Sequence, residues 1–156
     1  MRARNIFIGA YAGLTGGVVL GSLMGINNTL QMFGQTTLTR STGIDFVIHM
    51  AISVAIGVSF VVLFPRALRS LPGGLGRGAM YGGVWWFLGP LTLLPLLLGS
   101  PVGANWHPDV MIRLLPSLGG HLVYGAVLGG FSAALHRAAE RRDAPAGDRP
   151  PLDSRA

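Results

Sequence analysis

Apolar positions in this chain come in long blocks that charge does not interrupt. Residues 5–26, 46–64, 78–108 and 114–135 contain no acidic residue and no arginine. A bilayer's hydrocarbon core is about 30 Å thick, so a helix rising about 1.5 Å per residue needs about 20 residues to cross it. Every block supplies a stretch of that length. In the third, Ser100-Pro101-Val102-Gly103-Ala104-Asn105 reads as loop, which stops the span near Gly99. The pattern predicts an all-α membrane protein with four transmembrane helices, over about residues 5–26, 44–64, 78–99 and 116–136. Residues 1–136 then form the membrane domain. Residues 137–156 form a cytoplasmic tail, polar and proline-rich from Asp143 onward and expected to be disordered.

Local chemistry supports these boundaries. Thr42 and Asp45 have the spacing of a capping box at the start of helix 2, which puts the carboxylate at the positive end of the helix dipole. Pro65 cannot continue the hydrogen-bond ladder and should end that helix. Ser117, after Pro116, is the expected cap of helix 4. Gly89-Pro90 and Pro95 predict a kink in the outer half of helix 3. The first apolar block is longer than the core of a secretory leader and no A-x-A-like site follows it, so it reads as a retained span.

Composition agrees. Half of the 156 residues are hydrophobic and only 12% are charged, against about 25% in a soluble domain. Too little charge is present to cover a water-facing surface. The net charge of +6 comes from arginine, with no lysine in the chain. These arginines flank apolar blocks and form no stripe with aromatics, so nucleic acid is not an expected partner; the lipid bilayer is. Arg2, Arg4, Arg66, Arg69, Arg77, Arg137, Arg141, Arg142, Arg149 and Arg155 fall on one side of the predicted topology, and only Arg40 and Arg113 on the other. Positive charge stays in the cytoplasm, which places both termini there. Without cysteine, disulfides and thiolate metal sites are excluded.

The two halves look related. His49, Ser53 and Gly57 match His121, Gly125 and Gly129 at an offset of 72, and Gly9–Gly13 (GAYAG) resembles Gly78–Gly82 (GAMYG) at an offset of 69. Two duplicated helical hairpins in parallel orientation would produce this pattern. Gly9, Gly13, Gly17, Gly21 and Gly25 form an i+4 ladder on helix 1, and His121, Gly125, Gly129 and Ala133 form another on helix 4. In lipid, helices associate where small residues let backbones approach, so these ladders, with Ser53 and Gly57, mark helix–helix faces.

The candidate chemistry lies with histidine. His49 and His121 fall near the outer ends of their predicted helices, and His107 lies in the outer loop beside Trp106 and Asp109. Three imidazoles and two carboxylates, Asp45 and Asp109, are therefore expected near one membrane surface. Such a set has three readings: structural polar contacts, a proton or ligand role, or a metal or haem site using His49 and His121. His136 reads as a contact at the C-terminal end of helix 4. Trp85 and Trp86 read as packing residues, and Trp106 as an interfacial anchor. Ser53 lies one turn from His49 but no third orienting group is evident, and no P-loop or dinucleotide fingerprint occurs. Enzymatic activity is not expected.

The chain resembles the YagU-like family of bacterial inner-membrane proteins. That resemblance rests on the His49-x3-Ser53-x3-Gly57 helix ending at Phe64-Pro65 and on Pro116-Ser117-Leu118-Gly119-Gly120-His121-Leu122, with Gly78, Gly82, Pro95 and Trp106 between them. The first outer loop is much shorter here than in one member of that family. The resemblance implies a multi-pass inner-membrane protein and carries no reaction with it. The leading expectation is a non-enzymatic accessory or interaction protein, in a homo-oligomer or a larger membrane complex. The alternatives are a small transport or proton-responsive protein with histidines at its outer mouth, and an electron-transfer subunit binding haem or a divalent metal.

Overall fold

A computed structural model describes residues 3–26 and 42–143, and the described residues are helical without a strand. The four long helices are α1 (Ala3–Ile26), α2 (Thr42–Leu63), α3 (Leu71–Leu97) and α4 (Pro108–Asp143). Each is long and apolar enough to span a membrane, and the chain is a multi-pass membrane protein. The first outer loop with Arg40, the Thr42 side chain of the expected capping box, the surroundings of Gly25 and residues 144–156 lie outside the described residues.

α1 and α4 occupy the centre. Buried residues make up 44% and 39% of their most apolar stretches, against 28% for each of α2 and α3. α2 packs on α1, α3 packs on α4, and α1 and α4 pack on each other. The core runs through Ala12, Leu20, Phe60, Leu68, Tyr124 and Leu128. At one end of the bundle Arg4 pairs with Asp143, so the start of α1 and the end of α4 share a face.

Both close helix pairs depend on glycine. A methyl group at Gly9 would stand 2.7 Å from the Gly57 carbonyl oxygen, and one at Gly57 would stand 2.7 Å from Gly13 Cα. In the second pair Gly74 and Gly78 face Gly129, and Gly78 and Gly82 face Gly125. No side chain larger than hydrogen fits these crossings without moving a helix. The expected faces are therefore present, but their register differs from the motif pairing. If Gly57 corresponds to Gly129, the contacts make Gly9 the counterpart of Gly74 and Gly13 that of Gly78. GAYAG and GAMYG are one helical turn out of step. An i+4 ladder presents the same face every turn, so sequence similarity alone does not select which turn is used.

Two helices start earlier than the hydropathy pattern implies. α3 begins at Leu71, where Ser70 is extended and its Oγ accepts from the Gly73 N–H at 3.2 Å, with Pro72 in the first turn. Its first turns look like loop in Leu71-Pro72-Gly73-Gly74, yet Gly74 is buried against α4. α4 begins at Pro108 and not at Pro116, with Asp109 in its first turn. Ser117 is consequently an interior residue and not a cap. The helix also continues to Asp143, so the expected tail is helical for its first part and His136 is not at a helix end.

Pro65 acts as expected. α2 ends at Leu63, and Pro65 opens a short 3-10 turn, Pro65–Arg69. Gly89-Pro90 lies where α3 widens into a π turn over Gly89–Leu93 before closing again at Leu94–Leu97. Thr92 Oγ1 donates to the Phe87 carbonyl at 2.9 Å and Asn105 Nδ2 to the Pro90 carbonyl at 3.3 Å. Polar side chains thus serve backbone groups where proline interrupts the ladder. Gly99, with φ of +81°, then turns the chain out of the helix.

Candidate functional site

His49 lies in the α1–α2 interface. Its Nε2 is 2.9 Å from the Gly17 carbonyl oxygen, which can only accept, so Nε2 carries the proton and Nδ1 is the unprotonated nitrogen of the neutral ring. The imidazole lies along the glycine ladder: a methyl group at Gly21 would touch it at 3.4 Å, an ordinary contact distance. His121 sits within α4 and uses the opposite nitrogen, Nδ1 donating to the Ser117 carbonyl one turn earlier at 2.8 Å. Its Nε2 is then the acceptor.

α1 runs between the helices that carry them. Gly17 and Gly21 face α2, while Gly16 faces Tyr124 and Leu20 reaches the Gly120 position on α4. The expected outer cluster does not assemble. His107 precedes α4 on an exposed turn, its carbonyl accepting from Val110 and Met111 at 3.0 Å. Because α4 starts at Pro108, His121 lies about 20 Å further along the helix axis. Asp109 is exposed and pairs with Arg113 at 3.3 Å, about three turns along α4 from His121. Asp45 is buried, 1% exposed, and is engaged by a neighbour. No three His, Asp or Glu side chains among the described residues gather closely enough to hold a metal ion.

Other polar side chains tie the helices together. Tyr124 OH donates to the Ser53 carbonyl at 3.0 Å and joins α4 to α2 across the buried centre. Ser59 Oγ donates to Ile56 O at 2.8 Å and lies 2.7 Å from Tyr81 OH, which is therefore the donor between α3 and α2. Trp86 Nε1 is shared between Leu114 O at 3.2 Å and Ser117 Oγ at 2.9 Å. Tyr124 and Tyr81 were not singled out by spacing. The available signal was a tyrosine inside an apolar span, whose hydroxyl must find a partner when buried. Trp106 is 45% exposed and its ring lies 5.4 Å from Phe87, with Nε1 donating to Thr92 Oγ1 at 3.2 Å.

At the end of the bundle that holds Arg4 and Asp143, a separate open cleft is lined by Leu63, Phe64, Pro65, Arg66, Arg69 and Arg77. No family model, curated protein or solved structure matches this chain.

Proposed function

We propose that this protein is a non-enzymatic accessory protein of the bacterial inner membrane, a rigid four-helix unit acting through contacts with other membrane proteins or with further copies of itself. The observation that carries the reading is where the chemically capable side chains are spent. His49, His121, Tyr124 and Trp86 each donate to a backbone carbonyl, and three of the four bonds join separate helices. In lipid such groups need internal partners, and supplying them holds the bundle in one arrangement. The resemblance to the YagU-like family and the arginine distribution support the inner-membrane address with both termini cytoplasmic. The recurring glycine crossings, read at offsets of 65 for the first helices and 72 for the second, support an origin in two duplicated hairpins.

His49→Ala and His121→Ala test the packing role. Each is expected to lower the amount of folded protein in the membrane and its unfolding temperature in detergent together. Purified protein with a Soret band or stoichiometric metal would overturn the reading, as would transport by the protein alone in liposomes. One second reading has its own observation. In their hydrogen-bonded tautomers His49 and His121 each keep one ring nitrogen that can accept a proton. If a pH-dependent flux is lost in either variant while abundance is unchanged, the pair is proton-responsive.

A further inference from the structure

The open cleft at the arginine-rich end has a volume of about 560 Å³ and a distinct chemistry. One part is apolar, formed by Leu63, Phe64 and Pro65 at the end of α2. The other is cationic, formed by Arg66 and Arg69 on the 3-10 turn and Arg77 on α3. Three arginines line one cavity, and none of them pairs with a carboxylate among the described residues.

The arginines are held in place from beneath. Between Arg66 and Arg69, Ala67 and Leu68 are 0% and 1% exposed. These two residues anchor the turn against α3 and α4, which leaves the flanking arginines directed outward. The Ser70 cap fixes the turn's junction with α3. Arg77 folds back toward the start of its helix, its terminal nitrogen 3.0 Å from where a Gly73 side chain would begin. That is the posture of a long cation reaching from an apolar helix toward the membrane–water boundary.

We propose that this cleft binds the phosphate-bearing headgroup of an anionic phospholipid, with Arg66, Arg69 and Arg77 on the phosphate and Leu63 and Phe64 against the start of an acyl chain. Guanidinium groups match phosphate oxygens in geometry and charge, and basic pockets beside membrane helices hold anionic headgroups. The joined cationic and apolar walls favour a lipid over free phosphate. Such binding requires the helices to lie in a bilayer, in either orientation, and is independent of the accessory role.

The test is native mass spectrometry of the purified full chain in detergent, titrated with phosphatidylglycerol, phosphatidylcholine or inorganic phosphate. One phosphatidylglycerol per chain should be retained in preference to phosphatidylcholine, and millimolar inorganic phosphate should not displace it. R66Q/R69Q/R77Q should weaken this retention at least tenfold with the same unfolding temperature. The charge-matched R113Q/R137Q/R141Q should leave it unchanged. If the triple cleft variant unfolds, R66Q/R69Q replaces it, with retention weakened at least threefold at an unchanged unfolding temperature as the expected result and unchanged retention overturning the proposal. Equal retention of both lipids, equal loss in the two triple variants, or displacement by inorganic phosphate would each overturn the proposal.

Discussion

At the residue scale, glycine is used here for what it lacks. Gly57 receives the backbone of α1 so closely that any side chain collides with main chain and not with a flexible tip. Gly57→Leu should therefore cost at least the about 1–3 kcal/mol of an overpacked core, read as loss of folded protein in detergent unfolding. Gly76 has nothing within 4 Å of its position, and Gly76→Ala should leave stability unchanged or slightly raised. A different economy governs Tyr124. Its ring is 1% exposed and its hydroxyl reaches the Ser53 carbonyl, so Tyr124→Phe keeps the packing and removes one interhelical bond. The expected cost is about 0.6 kcal/mol, no more than about 1.7, by the same unfolding measurement.

At the scale of elements, proline does different work according to its neighbours. Pro65 ends α2, whereas Pro116 lies inside α4 and the helix continues through it. Beside Pro116 a small polar network gathers on the Leu114 carbonyl, which accepts from both Trp86 Nε1 and Ser117 Oγ. Trp86→Phe should lose the only donor that α3 supplies to this network among the described residues. We expect faster amide exchange around residues 114–118 and a stability loss of about 0.6–1.7 kcal/mol. The π turn at Gly89–Leu93 is the corresponding device in α3, where Thr92 and Asn105 serve carbonyls beside the proline.

At the scale of the whole molecule, the described start of α1 and end of α4 meet at one face through Arg4 and Asp143. The arginine-lined cleft lies at this end too. The far end carries the turn of Gly103 and His107 between α3 and α4. A phosphatase that works only in the periplasm should be active when fused at Gly103 and inactive when fused after Asp143. The reverse result would remove the inward orientation while leaving the bundle intact. α4, at 36 residues, is about 54 Å long, far more than a bilayer core requires. It extends beyond the apolar stretch at both ends, bringing Asp109–Arg113 to one side and Glu140–Asp143 to the other.

The number of spans, their apolar character and the faces marked by glycine were all legible in the chain itself. Transfer into lipid depends on the side chains of one segment at a time, so hydropathy reports it without knowledge of neighbours. The ends of α3 and α4 were not legible, because Gly74 becomes a helical residue only where α4 accepts its close approach. The same holds for the histidines. Their identities and spacing were plain, but the depth of His121 and its separation from His107 follow from a helix that begins at Pro108. Tertiary structure also decided which turn of each ladder meets its partner, since every turn offers the same small-residue face and only the packed whole selects among them.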